Sequence, residues 1–211
     1  MEIEIREHRF KLLPQKAIYW KNKKTLLISD LHLGKVTHFR KSGIALPSIA
    51  LINNFRRLDE LILTINAERI ILLGDLFHSS YNEEWELFSE WRKKYHSIQI
   101  ITVLGNHDIL PMDLFKACEI SVEDYLQEEH FLFIHHPVKF HDEEIYSFCG
   151  HIHPVHCLKS RTKQRIKLPC FVVDEEQTIL PSFGVFTGGY EMKSEPGRKI
   201  FVVTDEEVFK V

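Results

Sequence analysis

The stretch "TLLISDLHLG", Thr25 to Gly34, sets the reading of the chain. Its first half is apolar at nearly every position, without alternation. Its second half carries an acid and a histidine two residues apart. A strand that is apolar on both faces belongs in a sheet covered by other layers. "RIILL" (69–73) and "IQIITVL" (98–104) have the same character, and each also runs into polar residues. Further strands are expected at "AIYW" (17–20), "FLFIHH" (131–136), "IYSFC" (145–149), "LPCFVVD" (168–174) and "KIFVVTD" (199–205). Between Pro47 and Ile65, apolar residues recur every three to four positions, which predicts an amphipathic helix with Pro47 near its first turn. Tyr81 to Tyr95 reads as a second helix, with Trp85, Phe88 and Trp91 packing into the core. Strands alternating with helices imply parallel pairing in the first half. From about residue 120 the chain is strand-rich with short connections. The expected fold is α/β, a sandwich of two mixed sheets with helices outside, in one domain over residues 1–211.

Composition narrows the function classes. The chain has 211 residues, 44% hydrophobic and 27% charged, which suits an ordinary globular core. No apolar run approaches the ~20 residues of a membrane span. The start, "MEIEIREHRF", lacks an apolar signal core, so a cytoplasmic protein is expected. Cys118, Cys149, Cys157 and Cys170 form no CxxC pair and are expected as reduced structural thiols. The net charge of -3 excludes a generic polyanion binder, but the charge is unevenly spread. Leu31 to Leu58 holds Lys35, Arg40, Lys41, Arg56 and Arg57 and no acid. Lys159, Arg161, Lys163, Arg165 and Lys167 follow one another at alternate positions, so an extended segment shows them on one face.

Polar residues gather where the apolar strands end. Asp30 and His32 follow the first, Gly74-Asp75 the second, and Gly105-Asn106-His107-Asp108 the third. His135-His136-Pro137 and Gly150-His151-Ile152-His153 follow two strands of the second half. In open α/β sheets, ligands bind outside the carboxyl ends of strands. These clusters should therefore converge on one edge. Asp, Asn and His without thiolate suit Mn²⁺, Fe²⁺ or Zn²⁺. Asp30, His32, Asp75, Asn106, one of His135 and His136, His151 and His153 are too many ligands for one ion with an open position. They suit two divalent ions, roughly 3.5–4 Å apart, bridged by one carboxylate. Gly74, Gly105 and Gly150 each precede a proposed ligand, where a tight turn is expected.

"DLH", "GDLFH", "GNHD", "HHP" and "GHIH" resemble, in order and spacing, the five motifs of calcineurin-like metallophosphoesterases. "LLISDLHLGKVTHFRKSGIALP", "LLGDLFHS", "GHIHP", "LPCF" and "LPSFGVFTGG" are similar to a narrower branch, the bacterial ligase-associated DNA-damage-response endonucleases of the PdeM type. The resemblance implies a four-layer α/β/β/α sandwich and a hydrolase that cleaves phosphodiesters in DNA, with manganese the metal most expected. It implies that Asp30, His32 and His153 hold one ion, that Asn106, His135 and His151 hold the other, and that Asp75 bridges. His107 would face the scissile phosphate and protonate the leaving oxygen after attack by a bridging hydroxide. Asp108 would orient the His107 ring or cap the next helix. His78 would touch substrate or a supporting group, and Lys35, Arg40, Arg161 and Lys163 would bind substrate. DNA ligase or helicase partners follow from the resemblance alone. An enzyme of small phosphorylated metabolites is the alternative. A non-catalytic scaffold is disfavoured, because His107 and Asp75 are both present.

Overall fold

The computed structural model describes residues 1–41, 43, 49–78, 80–138, 144–159, 164–185 and 187–211, the side chains of 41 and 49–51 excepted. The chain opens on an antiparallel run: β1 (Glu2–Ile5), β2 (His8–Leu12), β3 (Ile18–Trp20) and β4 (Thr25–Ile28). Arg6 and Glu7 join the first two strands with φ of 50° and 65°. Two left-handed residues in succession give the turn whose twist matches a hairpin. That turn usually announces itself as Asn-Gly, and here it does not, so the hairpin is not legible in the sequence. The next connections are helical. The helices α1 (Lys35–Lys41) and α2 (Ile49–Ile65) lead to β5 (Arg69–Leu73), α3 (Glu83–Lys94) to β6 (Gln99–Val103), and α4 (Met112–Ala117) to β7 (Ile120–Glu123). Strands β4 to β7 are accordingly parallel, and the seven strands form one sheet in sequence order.

The second half forms another mixed sheet. Its strands are β8 (Leu126–Glu128), β9 (Phe131–Phe133), β10 (Tyr146–Cys149), β11 (Pro154–Lys159), β12 (Arg165–Val173), β13 (Gln177–Ile179) and β14 (Tyr190–Glu191). They run in the order β14-β11-β12-β13-β10-β9-β8, and β15 (Lys199–Val203) with β16 (Val208–Lys210) joins at β12. Strands β9, β10 and β13 are parallel, and β11 pairs antiparallel with β12.

Side-chain periodicity sorts the core into layers. Leu26, Ile28, Ile70, Leu72 and Ile100 point from the first sheet towards Leu58, Leu61, Trp85, Phe88 and Trp91 of the helices. Their neighbours Leu27, Ile71, Leu73 and Val103 point the other way, onto Phe131, Phe133, Phe148 and Phe171. This is why those strands read as apolar at every position. Beyond the second sheet lies a smaller apolar group that includes Cys149, Cys170, Val172 and Val202. Among the described residues all four α-helices precede Ile120, and no helix lies outside the second sheet.

The helices carry recognisable end signals. Asn82 caps α3 by accepting the Glu84 amide, with acids in the first turn and Arg92, Lys93 and Lys94 in the last. Helix α1, only seven residues long, depends on a distant group. The buried carboxylate of Glu84 accepts the Gly34 and Thr37 amides, both at 2.6 Å.

The intersheet layer is aromatic. Phe148 lies 4.9 Å from Phe10 and 5.7 Å from both Phe131 and Phe133, centroid to centroid. Truncating it to alanine opens a void that rigid strands cannot close. Phe148→Ala is expected to lower the unfolding free energy by about 3–5 kcal/mol, read from the urea midpoint. A drop below about 1 kcal/mol, the scale of a tolerated swap, would show that this layer is not close-packed.

Candidate metal centre

The topology brings five strand ends to one edge. Ile28 pairs with Leu72, and Leu73 with Val103, so the residues after β4, β5 and β6 emerge side by side. In the facing sheet Phe133 pairs with Phe148, and the residues after β9 and β10 emerge at that same edge. The chain crosses the edge in a demanding conformation. Asp30, His32, Asp75, His151 and His153 have φ of 54°, 49°, 52°, 65° and 50°. Each such non-glycine residue costs of order 1 kcal/mol, and strain of this kind persists where the surroundings enforce it. Here backbone bonds between the loops enforce it: the Asp30 amide donates to Gly74 O, the His32 amide to Asp75 O, and the Gly150 amide to His135 O.

The glycines before the clusters serve two different needs. Gly74 has φ of 80°, as a tight turn requires. Gly150 is instead needed for room, since a Cβ there would lie 1.6 Å from Ser29 Oγ and 2.5 Å from Asp30 Oδ2.

The side chains converge as two overlapping groups. In the first, His153 Nε2 lies 3.0 Å from Asp30 Oδ1 and 3.2 Å from His32 Nε2. In the second, His135 Nε2 lies 3.1 Å from Asn106 Oδ1, and its ring centroid is 5.1 Å from that of His151. Asp75 Oδ2 stands between the groups, 3.8 Å from His32 Nε2 and 3.5 Å from His135 Nε2. The outer nitrogens fix the tautomers. His153 Nδ1 donates to Gly188 O at 3.2 Å and His135 Nδ1 to Leu73 O at 2.9 Å. Their Nε2 atoms are thereby directed at the Asp30 carboxylate and the Asn106 amide oxygen. His135 is buried, whereas His136 is exposed, its ring tilted against that of His151 with centroids 4.1 Å apart. Both lie with His151 in a group whose ligand atoms could hold a metal ion.

Known families account for this edge. Calcineurin-like phosphoesterase is the family whose model matches, over residues 23–203. The chain belongs to that family. The crystal structure of Pseudomonas putida nuclease MPE is similar at 30% identity, with a TM-score of 0.84, over 100% of this chain and 99% of that one. Yfce, a phosphoesterase from E. coli, is similar at 15% identity and a TM-score of 0.48, over 89% of this chain and 97% of that one. Protein AQ665 of Aquifex aeolicus, of unknown function, gives 19% and 0.44, over 61% and 78%. No curated protein sequence matches the chain. This calcineurin-like phosphoesterase is a metal-dependent hydrolase of phosphoesters, with Asp, Asn and His donors gathered at the strand ends.

Around the donors lies a second set of imidazoles. The His107 ring sits 4.1 Å from His78 and 5.6 Å from His32. Its backbone amide donates to Asp75 Oδ1 at 2.9 Å, which ties the two loops together. Asp108 is placed differently from what the sequence suggested. Its two oxygens accept the Phe77 and Gly105 amides, each at 2.9 Å, so it braces the turn instead of orienting the His107 ring or capping α4. Burial pushes Asp108 up to about 6, although both amides pull the other way. Lys35, half-buried at the start of α1, has its pKa lowered by burial while Asp75 and Asp30 oppose the shift. Arg40 is exposed on α1, and His156 is bonded through Nδ1 to Met192 O. Arg161, Lys163 and His141 lie outside the described residues, as does the side chain of Lys41. Cys149 is fully buried and burial raises its thiol, as befits a packing residue.

Two contributors escaped the sequence reading. Ser29 Oγ donates to Asp30 Oδ2, and the loop after β13 reaches under the site, with Ser182 Oγ and the Gly184 amide both on Asp30 O. "LPSFGVFTGG" is visible as a motif, but nothing local says that it supports an aspartate 152 positions away.

Burial drives His32 well below the ordinary imidazole range, and burial with the His107 and Lys35 charges drives His78 to about 4. Between pH 6.5 and 4 the unfolded chain binds protons that these rings refuse in the fold. Stability fully present above pH 6.5 is therefore lost as the pH falls through that window. Urea unfolding of chelator-treated protein is expected to show this decline, and His78→Gln should make it shallower. An identical slope in the variant would mean that His78 is not held neutral.

Proposed function

We propose that the chain is a two-metal phosphodiesterase that cuts DNA, working with manganese in the cytoplasm in DNA repair. The observation that carries the metal reading is the crowding of Asp and His ligand atoms, within 4.8 Å of one another in each group, around Asp30, Asp75 and His135. His153 Nε2 lies against Asp30 Oδ1 and His32 Nε2, and His135 Nε2 against Asn106 Oδ1. Asp30 Oδ1 is buried without a hydrogen bond. Such groups are costly in each other's company unless cations lie among them. The residues therefore fit the dinuclear centre of the family. Asp30, His32 and His153 would hold one ion, Asn106, His135 and His151 the other, and Asp75 both. Asp, Asn and His donors suit a hard-to-borderline ion such as Mn²⁺, with Fe²⁺ and Zn²⁺ as near relatives.

Bound divalent cations supply Lewis-acid charge to the phosphate and an ionised water near neutral pH. The chain's own residues do the rest. His107, beside the donors but outside both groups, protonates the leaving alkoxide. His78, its ring tilted against that of His107 with centroids 4.1 Å apart, limits the orientations of that ring. Lys35 adds positive potential beside the two aspartates. His107→Ala should leave metal content unchanged and slow turnover by about 10²–10⁴-fold for an alkyl diester. The effect should be much smaller for a nitrophenyl diester, whose leaving group needs no proton. Equal slowing of both would make His107 a stabiliser of charge on phosphorus.

Two things support a polymer substrate. The similar structure with 30% identity is that of a nuclease. The hairpin that leaves the His153 loop pairs Lys159 with Arg165 and Cys157 with Lys167, which puts Lys159, Arg165 and Lys167 on one face. Lys167 is paired with Glu191 at 3.0 Å. Replacing Lys159, Arg165 and Lys167 by glutamate should weaken binding of single-stranded DNA and make its salt dependence shallower, by a slope of roughly 0.7 for each phosphate no longer bound. Hydrolysis of bis(4-nitrophenyl) phosphate should suffer less than hydrolysis of DNA. Unchanged DNA affinity and salt slope would leave the hairpin as solvated surface. Ready turnover of phosphomonoesters, with none of DNA, would favour a small phosphorylated metabolite instead. A DNA ligase or helicase as partner belongs to the same reading, on resemblance alone.

A further inference from the structure

A second feature of this edge is cationic. Strand β3 runs antiparallel to β4 and Ile18 pairs with Leu27, so the turn between β2 and β3 lies at the end of β4 that leads to Asp30. That turn presents Lys16, held at φ of 63° by its amide bond to Leu13 O. Lys16 lines a cavity of about 250 Å³ together with His153, Ser182, Gly184, Thr187 and Gly188. At ~30 Å³ per water, this is room for a phosphoryl group and part of a sugar. Among the described residues nothing lies within 4 Å of where a Gly188 Cβ would stand, which leaves room on that side.

Arg57 approaches the same loop from helix α2. Its Nη2 donates to Asn54 Oδ1 at 2.9 Å and to Phe183 O, and its guanidinium stands 4.3 Å from the centre of the Phe183 ring. The Phe183 amide in turn donates to Ser29 O, beside Asp30. Lys16 and Arg57 are thus neighbouring, partly buried cations. Among the described residues neither forms an ion pair, and Lys16 makes no side-chain hydrogen bond. Asp205 is the acid whose charge reaches both. Burial and the Arg57 charge push Lys16 down to about 8. Cations withdrawn from water are ordinarily paired. Lys16 alone of the two lines the cavity, which shares a wall with His153, and with the Arg57 charge behind it the cavity is built to receive an anion.

We propose that Lys16, backed by Arg57, forms a phosphate subsite that holds the phosphate next to the one being cleaved. The inference rests on the phosphodiesterase reading above and deepens it. The cavity selects a substrate with a second phosphate, as along a polynucleotide, over an isolated phosphoester. Lys16 supplies the contact, because among the described residues its ammonium has no hydrogen-bond or ion-pair partner. Arg57 supplies charge from behind the Phe183 carbonyl.

The test compares two small nucleotides on manganese-loaded protein by calorimetry: thymidine 3′,5′-bisphosphate and thymidine 5′-monophosphate. The wild-type protein is expected to bind the bisphosphate roughly 10- to 100-fold more tightly, the range of one charge-assisted hydrogen bond. Lys16→Met should reduce that ratio to within about threefold, and Lys16→Arg should keep most of it. Equal wild-type affinities, or a ratio that Lys16→Met leaves unchanged, would overturn the subsite. Turnover of bis(4-nitrophenyl) phosphate by the same samples reports on the phosphodiesterase reading separately, since that substrate has one phosphate and needs no subsite. No turnover with an intact, Lys16-dependent ratio would remove the enzyme reading and leave the subsite standing.

Discussion

Two buried carboxylates, Asp30 and Asp75, end adjacent parallel strands, and no lysine or arginine pairs with either among the described residues. Their close neighbours are the Nε2 atoms of His32, His135 and His153. Burying a carboxylate without compensation is costly, and burying two side by side is more so. Every loop at this edge is arranged to keep that arrangement intact. The Asp30, His32 and Gly150 amides lock the loops to one another, and Ser29 and Ser182 hold Asp30 from both ends. The left-handed backbone at five of the donor residues is the conformational expression of the same demand. A polypeptide keeps such strain where a bound charge makes it worthwhile, and cations are the charge that satisfies this set.

The two sheets explain how so strained an edge survives. The strands that deliver Asp30, Asp75 and Asn106 are buried on both faces, between helices and the aromatic intersheet layer. That packing on both faces is what holds the strand ends, and with them the three side chains, in place. Beside the donors the chain also carries cations, with Lys16 in the cavity that His153 lines and Lys35 near Asp75 and Asp30. The site divides accordingly into a rigid, neutral-to-acidic floor that suits cations and a basic border that suits phosphate.

The parts of this design legible in sequence are those written in local pattern. Strands β3 to β6, β9, β10, β15 and the second half of β12 follow apolar runs, and α2 and α3 follow a period of three to four. The convergence of five clusters at one edge follows from strand ends alone. What stays hidden depends on long-range partners. Helix α1 needs Glu84 to hold its first amides, and the turn at Arg6 and Glu7 lacks glycine and asparagine. Short edge strands such as β8, β14 and β16 have too few residues to show a period. The role of Asp108 is misleading in sequence because its neighbour there is His107, whereas its bonding partners are the backbones of Gly105 and Phe77. Gly150 reads as a turn residue and is required for space beside Ser29.

The central claim is that Asp75 joins two cation sites built from these donors. Crystals of the protein soaked in Mn²⁺ and measured at the manganese absorption edge test it most directly. The account predicts two anomalous peaks on either side of the Asp75 carboxylate, one among Asp30, His32 and His153 and the other among Asn106, His135 and His151. A single peak, or peaks that leave Asp75 without a metal contact, would contradict it.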